Sequence, residues 1–401
     1  MSEFRTIREL CSVVVDCPHS TPKWTANGKI VIRNNNIKHG RIDFSSPSYT
    51  DDEHFAQRIK RAKPQPGDII ITREAPIGDV GMIPENTECC LGQRMVLLRA
   101  NQSVCDNFYL LYSLQSLYVQ HQISWSEGTG TTVSNLRIPH LEQIQIPYLP
   151  LEQQAKISSV LRALEEKIEN NRRLNDNLQQ QLRTIFKAEF TDNPELENIT
   201  QIPLSELCHV VTKGTTPTTL GKPFVESGIN FIKAESILDD HSIDKSKFAF
   251  IDEETNALLK RSIIHAGDVV FTIAGTLGRF ALIDENVLPA NTNQAVAIIR
   301  ADVEKVLPEY IYTCFIGEWH TDYYAKRVQQ AVQANLSLTT IKSLPIPLLD
   351  EAKMSEYLSL ILPLIKAIKT NEAQNEKLAA LRDNLLPKLM SGEIDVSDIQ
   401  L

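Results

Sequence analysis

Apolar residues recur along residues 151–190 in alternating steps of three and four positions, which is the spacing of a coiled-coil seam. At an offset of 200 positions the same pattern returns, and both copies place two asparagines at the centre of the stripe. A buried asparagine amide needs a hydrogen-bond partner, so in a coiled coil it fixes register and partner. The pattern therefore predicts two long helices that pair antiparallel, with their asparagines in contact. The predicted interface is Leu164, Ile168, Asn171, Asn175, Leu178, Leu364, Ile368, Asn371, Asn375 and Leu378.

Each stripe alone would also fit the core face of an unrelated helix. The repeated asparagine pair is what favours the coiled coil. Arg382 interrupts the second stripe at the position that Leu182 occupies in the first.

The rest of the chain is repeated at nearly the same offset. Gly67-Asp68 matches Gly267-Asp268, and a shift of one position aligns Arg99 with Arg300. Many further identities keep this register, which indicates a tandem duplication. The four predicted segments are residues 1–150 and 191–350, which are two similar domains, and residues 151–190 and 351–401, which are the long helices with a C-terminal tail.

Each domain has a mixed, β-rich pattern. The runs 67–72 and 267–272 predict buried strands that follow a Gly-Asp turn, where the aspartate bonds backbone N–H groups. Residues 108–122 and 308–329 predict amphipathic helices. The predicted fold is therefore α+β, with two similar domains joined by two long helices and related by a pseudo-twofold.

Charge and cysteine content narrow the class of protein. A net charge of −9 argues against non-specific coating of nucleic acid, although it permits a sequence-specific binder. The seven cysteines include no C-x-x-C pair, which indicates reduced thiols in a cytoplasm. No uncharged run approaches the roughly 18 residues that a membrane span needs.

Catalytic motifs are absent from the sequence. There is no H-E-x-x-H, and the nine histidines lack metal-ligand spacing. The stretch 214–223 resembles a phosphate loop only superficially, because Pro223 replaces the Ser/Thr that would bind Mg²⁺. We therefore expect this chain to contain no catalytic residues, metal or cofactor.

Basic and amide side chains recur in the predicted loops. Repeated Lys-Arg pairs are candidates for phosphate contact, although such pairs are also common on solvated surfaces. Other loops keep their frame while their polar residues differ between the copies. Because Arg, Asn and Gln read base edges, the domains are candidate readers of different short sequences, with neutral loop drift as the alternative. The candidate DNA contacts are Lys23, Arg33, Asn34, Asn35, Lys60, Arg61, Arg73, Arg94, Thr131, Thr132, Asn135, Lys213, Thr215, Thr216, Lys233, Lys260, Arg261, Thr272, Arg279, Gln333 and Asn335.

The whole chain resembles the specificity subunits of type I restriction–modification systems. The resemblance is carried by the strand starts at 66–69 and 266–269, by Ile146–Gln153 and by the ending Leu385–Asp395. It implies two target-recognition domains that each read half of a bipartite double-stranded DNA site, held apart by the coiled coil. It also implies two methyltransferase subunits docked on the helices, and restriction subunits in the full complex. S-adenosylmethionine, ATP, Mg²⁺ and adenine-N6 methylation would belong to those partners.

Other function classes stay open from the residues alone. A self-contained nuclease or methyltransferase would need an Asn-Pro-Pro-aromatic motif or an S-adenosylmethionine loop, and the sequence has neither. A protein-binding coiled-coil scaffold, or the specificity module of a related methylation-based phage-defence system, would share most of these features.

Overall fold

A computed structural model describes residues 3–38, 40–74, 76–125, 135–193, 199–321, 323–324 and 335–399. The chain divides into two compact units, the first made of residues 1–168 and 376–401 and the second of residues 169–375. The sequence repeat places boundaries near residues 150 and 350, whereas the units divide each long helix between them. This difference arises because the two parts of each helix pack in different hydrophobic cores.

Unit 1 is built on an antiparallel sheet whose strands pair in the order β2–β10–β7–β8, with a smaller sheet in the order β6–β3–β9. In the smaller sheet β3 runs parallel to β9 and antiparallel to β6. The strands are β1 Glu3–Thr6, β2 Cys11–Asp16, β3 Lys29–Ile32, β4 Ile37–Lys38, β5 Arg41–Ile42, β6 Ser48–Thr50, β7 Ile69–Arg73, β8 Ile77–Met82, β9 Cys89–Leu91, β10 Met95–Ala100 and β11 Gln145–Tyr148. The helices are α1 Ile7–Leu10, α2 Asp52–Arg58, α3 Asn107–Gln115, α4 Leu117–Trp125, α5 Ile138–Gln143 and the long α6 Leu151–Phe186.

Unit 2 repeats this topology. Its main sheet has the order β13–β20–β17–β18, and in the second sheet β14 runs parallel to β19 and antiparallel to β15. The matching strand orders support the tandem duplication. The strands are β12 Gln201–Pro203, β13 Cys208–Lys213, β14 Ile229–Ile232, β15 Ala249–Ile251, β16 Ile263–Ile264, β17 Val269–Thr272, β18 Phe280–Leu282, β19 Ala290–Thr292, β20 Val296–Ala301 and β21 Pro345–Pro347. The helices are α7 Glu253–Leu258, α8 Pro308–Ile316, α9 Leu338–Lys342 and the long α10 Glu351–Ser391.

The Gly-Asp turn before the central strand has the predicted role in both units. Asp68 Oδ2 accepts a hydrogen bond from the backbone N–H of Gln65 at 2.8 Å, and Asp268 Oδ2 accepts one from His265 at 2.8 Å. The sequence did not reveal a second role, which is an ion pair to the neighbouring long strand. Arg99 Nε and Nη2 donate to Asp68 at 2.8 and 2.7 Å, and this hydrogen bonding raises the pKa of Arg99.

Unit 2 contains the same ion pair. Arg300 Nε and Nη2 donate to the two carboxylate oxygens of Asp268 at 2.7 and 2.8 Å. Asp68 and Asp268 are almost completely buried, so each domain encloses a carboxylate that is neutralised by a bidentate arginine.

The predicted helix over residues 108–122 is divided into α3 and α4 at Ser116. The backbone of Ser116 is extended, with ψ 145°, and its hydroxyl donates to the carbonyl of Ser113 at 2.6 Å. The same hydroxyl accepts from the N–H of Val119 at 3.4 Å, so it satisfies both helix ends. In unit 2 the described helix, α8, ends at Ile316, and residues 325–329 of the predicted helix lie outside the described residues.

In unit 2 the two long helices pair antiparallel through their central asparagines. Asn171 Nδ2 donates to Asn375 Oδ1 at 2.9 Å, and Asn371 Nδ2 donates to Asn175 Oδ1 at 2.8 Å. Asn175 Nδ2 also reaches the carbonyl of Ile368 at 3.3 Å. The predicted contact between the asparagine pairs is therefore confirmed.

The remaining seam residues differ in burial. Ile168 and Ile368 are buried, and Leu164, Leu178, Leu364 and Leu378 are half-buried. In unit 1 the helices are again antiparallel, and Arg382 Nη1 lies 3.7 Å from Glu165 Oε1. This ion pair accounts for the charged residue in the second stripe.

We expect Asn175→Ala and Asn371→Ala each to lower the free energy of unfolding by about 1–2 kcal/mol. Each substitution leaves the amide of the partner asparagine without a hydrogen bond in a poorly hydrated seam. Their effects should not add, since both remove the same hydrogen bond, and a double-mutant cycle should give a coupling of at least about 0.5 kcal/mol. Urea unfolding of the full chain measures all three variants. Asn170→Ala, at an exposed position of the same helix, is the control. Additive effects would contradict the pairing.

Unit 2 should lose stability as the pH falls from about 6.5 to about 4. Burial lowers the pKa of His241, which stacks on Phe280, from 6.5 to about 4. Between these values the unfolded chain binds a proton that the folded protein does not, so the stabilisation is complete above pH 6.5 and lost towards pH 4.

The variant His241→Asn should reduce this dependence by an amount on the order of 1–3 kcal/mol, because asparagine does not titrate and tolerates the φ of +64° at this position. The remaining dependence should come from His320 of the same unit, since burial also lowers the pKa of His320 to about 4. Urea unfolding at successive pH values provides the measurement. His140→Gln, which changes an exposed histidine of unit 1, should leave the dependence as in the wild type.

Candidate nucleic-acid interface

Polar loops of unit 1 meet beside the end of the β10–β7 strand pair. The N–H of Arg73 donates to the carbonyl of Arg94 at 2.8 Å, and the N–H of Leu136 donates to the carbonyl of Arg73 at 3.0 Å. These backbone bonds bring together residues that are far apart in the sequence. Arg73, Arg94 and Asn135, which the sequence analysis selected separately, therefore lie next to one another.

Arg73 serves mainly to hold this loop region together. Its Nη1 lies 2.8 Å from both carboxylate oxygens of Asp16, and its Nε donates to the carbonyl of Leu136 at 2.8 Å. Nη2 donates to Asn135 Oδ1 at 3.2 Å. Only 12% of the Arg73 side chain is exposed, so its donors are directed into the protein.

Glu74 connects three of the predicted DNA-contact residues, Asn34, Arg94 and Asn135, within the same network. Its carboxylate accepts from Asn135 Nδ2 at 2.7 Å and lies 3.1 Å from Arg94 Nε. Its backbone carbonyl accepts from Asn34 Nδ2 at 2.7 Å. Arg94 is the most exposed member of this group, with 56% of its side chain accessible.

A tryptophan borders the polar network. The guanidinium of Arg33 lies 5.2 Å from the centre of the Trp24 ring, and both residues are exposed. The neighbouring Lys23 is paired with Asp51 at 3.3 Å, and Asn35 is exposed on the short 3₁₀ turn after β3. An exposed cation over an aromatic ring offers both charge and a stacking face to a ligand.

The basic run after α2 contains side chains with two different roles. Arg58 is buried and donates to the carbonyls of Pro18, Ser20, Leu91 and Gly92, so it is a structural residue. Lys60 and Arg61 are exposed, and Arg61 Nη1 reaches the carbonyl of Asp16 at 3.4 Å. Lys60 and Arg61 are therefore accessible for phosphate contact, whereas Lys63, which is also exposed, forms an ion pair with Glu88 at 2.8 Å.

Unit 2 groups a different set of candidates at the matching end of its sheet. Thr216 donates its hydroxyl hydrogen to Gln294 Oε1, and Arg261 Nη2 donates to Thr215 Oγ1 at 3.3 Å. Lys213 ends β13 at the position that Asp16 occupies in β2, since they pair with Ala297 and Val96 of the equivalent strands. An acidic residue in the first unit is thus replaced by a basic residue in the second.

The other candidates of unit 2 are not part of this group. Lys233 pairs with Glu235 at 3.0 Å, and Arg279 forms a bidentate ion pair with Asp239 at 2.6 and 2.7 Å. Lys260 and Asn335 are exposed.

The prediction that Thr272 contacts DNA is wrong. Its side chain is fully buried, and its hydroxyl accepts the N–H of Arg279 at 2.8 Å and donates to the carbonyl of Thr276, so it closes the β17–β18 turn. Thr131, Thr132 and Gln333 lie outside the described residues.

Sequence reasoning missed Trp24, Asp16 and Gln294. Trp24 could have been noticed as a large aromatic residue in a polar stretch between two strands. Asp16 and Gln294 carried no such signal, because their partners lie 57 and 78 positions away in the sequence.

The groups at these loops are charged, amide and hydroxyl side chains that form hydrogen bonds and ion pairs. Within the described ranges, no cluster of three or more His, Cys, Asp or Glu residues could hold a metal ion. All seven cysteines fall in those ranges and are free, and burial raises the pKa of Cys11 to about 12 and that of Cys90 to about 11. None of the helices that the structure describes is long and apolar enough to cross a membrane.

Comparison with known proteins identifies the family to which the chain belongs. The profile described as "Type I restriction modification DNA specificity domain" matches residues 3–180 and 197–380. The chain belongs to this family. The two matched segments correspond to the two copies of the repeat, so this specificity chain carries the family domain twice.

Relatives match most of the chain. The type I restriction enzyme MjaIX specificity subunit of Methanocaldococcus jannaschii is 25% identical over 354 residues, which are 83% of this chain and 79% of the relative. The type I restriction enzyme EcoKI specificity subunit of Escherichia coli strain K12 is 24% identical, over 91% of this chain and 82% of the relative. A crystal structure of the type I restriction–modification system S subunit from M. genitalium superposes with a TM-score of 0.55 at 17% identity, covering 97% and 96% of the two chains. The specificity chain thus shares that fold.

We expect Arg73→Ala to destabilise unit 1 by about 2–3 kcal/mol, because it removes charge-assisted hydrogen bonds from a poorly exposed carboxylate, Asp16. Urea unfolding of the full chain measures the change. Arg33→Ala removes an equally charged but exposed side chain and should cost less than about 1 kcal/mol. Equal effects for the two variants would contradict the structural role of Arg73.

Proposed function

We propose that the chain is the DNA specificity subunit of a type I restriction–modification complex, and that each domain reads one half of a bipartite site in double-stranded DNA. The observation that carries this proposal is the contrast between frame and loops. Both units keep the same strand order and the same buried Asp–Arg pair. At the matching end of the sheet they carry different polar side chains, as expected for two readers with different sequence preferences.

The long helices serve as a spacer in this proposal. At 1.5 Å per residue, the 36 residues of α6 rise about 54 Å. This exceeds one turn of B-DNA, which is about 34–36 Å. The hydrogen-bonded asparagines fix the register of the helix pair, so the helices would set a constant gap between the half-sites. Their exposed faces would dock the methyltransferase subunits, of which we expect two.

The charge of the chain favours such partners. With a net charge of −9, the chain has little capacity for the non-specific phosphate attraction that supplies much of the affinity of DNA-binding proteins. Methyltransferase subunits that hold the phosphate backbone would supply this attraction, and the specificity chain would supply base readout. The assembly would function in the cytoplasm.

Catalysis belongs to the partners in this proposal. The methyltransferase subunits would use S-adenosylmethionine to methylate adenine N6, and restriction subunits would use ATP and Mg²⁺. The specificity chain would have no catalytic residue, metal or cofactor of its own.

The test combines the purified chain with its methyltransferase subunits, S-adenosylmethionine and a library of random duplexes, followed by mapping of the methylated adenines. We expect one bipartite motif with a fixed gap. Exchange of residues 1–150 for those of another family member should change one half of the motif and leave the other half and the gap unchanged.

Three results would contradict the proposal. They are methylation without sequence preference, alteration of DNA by the chain alone, and a change in both halves of the motif after the exchange of one domain. The first would favour a protein-binding scaffold, and the second an enzyme.

A further inference from the structure

Glu74 connects several separate loops of unit 1 through one side chain and its backbone. The carboxylate accepts a hydrogen bond from Asn135 Nδ2 at 2.7 Å and forms an ion pair with Arg94, whose Nε lies 3.1 Å from Oε2. The backbone carbonyl accepts a hydrogen bond from Asn34 Nδ2 at 2.7 Å. The Glu74 side chain is 23% exposed, so it lies mostly beneath the residues that it holds. This arrangement fixes the direction of the more exposed Arg94.

The conformation of Arg94 is not explained by stability. Its φ of +64° lies in the left-handed region, which costs a non-glycine residue roughly 1 kcal/mol or more. Its ion pair with Glu74 joins a side chain that is 56% exposed, and pairs this exposed contribute little to folding. A costly backbone conformation that presents an exposed cation is typical of a functional position.

The contact through Nε leaves a specific edge of the guanidinium for a ligand. Arginine has five N–H donors in one plane, and Nε provides one of them. The four donors on the two Nη atoms form the fork that matches O6 and N7 of guanine in the major groove. A carboxylate 3.1 Å from Nε also restricts rotation of the fork by charge attraction, which lowers the entropy lost on base contact.

Unit 2 lacks this network and the left-handed backbone conformation of Arg94, although it keeps one backbone hydrogen bond of the same frame. The N–H of Ile273 donates to the carbonyl of Ala295 at 2.8 Å, which is the same bond as that from Arg73 to Arg94 in unit 1. Ala274 follows Ile273 where Glu74 follows Arg73. The charged members of the network are therefore not required for this backbone bond, which forms in unit 2 with Ile273, Ala274 and Ala295 at their positions.

The other arginines of the unit 1 interface are less suited to base readout. Arg73 is 12% exposed and is bound by Asp16. Arg33 is stacked against Trp24, with its guanidinium carbon 5.2 Å from the ring centre. Arg61 contacts only a backbone carbonyl, at 3.4 Å, in the contacts that the structure gives it.

We propose that Arg94 is the guanine-reading residue of the first domain and that Glu74 is the positioning residue that aims it. This inference rests on the proposed function, because it assumes that unit 1 contacts DNA. Beyond the proposed function, it names the base that is read, the side chain that reads it and the carboxylate that positions this side chain. It also assigns the guanine to the half-site of unit 1, because unit 2 has alanine at the equivalent position.

The experiment measures binding of the complex with methyltransferase subunits to the wild-type DNA site and to duplexes with single base changes. For Arg94→Ala we expect a roughly 10- to 100-fold loss of discrimination at one guanine of the first half-site, with the second half-site unchanged. Arg94→Lys should restore affinity but not discrimination, because a lysine lacks the planar fork. Glu74→Gln should reduce discrimination at the same guanine by a smaller factor.

The control is Arg8→Gln, which removes another exposed arginine of unit 1 from a carboxylate, Glu142 at 3.4 Å. It should leave every base preference unchanged. If Arg94→Ala does not fold, Arg94→Lys gives the decisive comparison, because it retains the charge and most of the side chain.

Two results would overturn this inference alone. One is an equal loss of affinity for all duplexes, together with a slope of log affinity against log salt concentration that is reduced by about one. This result would make Arg94 a contact to a DNA phosphate. The other is unchanged discrimination in both Arg94 variants. If the wild-type complex shows no sequence preference at all, the proposed function fails and this inference fails with it.

Discussion

A buried ion pair between an aspartate and an arginine is the constraint on which each domain depends. Asp68 and Asp268 close the turn before the central strand, and their carboxylates are enclosed by the protein. A buried carboxylate is tolerated only with a well-placed partner, which Arg99 or Arg300 supplies from the next strand. The pair therefore joins turn and sheet, and the polar loops of the candidate interface extend from the strands that it holds.

Because the sheet is secured by this pair, the loops are free to differ. The backbone bond from Arg73 to Arg94 recurs from Ile273 to Ala295 at the same 2.8 Å, although the side chains have nothing in common. In unit 1 the loops are joined by charged and amide groups around Glu74, whereas the residues of unit 2 equivalent to Arg73, Glu74 and Arg94 are Ile273, Ala274 and Ala295. The sheet is thus held by an ion pair that both units share, and the side chains of the loops at its end can differ without loss of this frame.

The sequence revealed features that depend on spacing and missed those that depend on long-range pairing. The asparagine stripe and the Gly-Asp turn were predictable because coiled-coil periodicity and turn chemistry are local. The pairing of Arg73 with Asp16 was not, since it depends on how strands 57 positions apart align. Thr272 was wrongly selected as a DNA contact although it ends the predicted buried strand 267–272. Its hydroxyl is buried and bonds residues of the turn that follows β17.

The discontinuous composition of unit 1 has a consequence during translation. Its hydrophobic core includes Leu389, Met390 and Val396 together with residues from the first 161 positions. Unit 2 is formed by the continuous segment 169–375, which emerges from the ribosome before those three residues. Domains generally fold as units as they are synthesised. The domain that is made first is therefore completed last, and the nascent chain holds an unfinished apolar core while its second half folds.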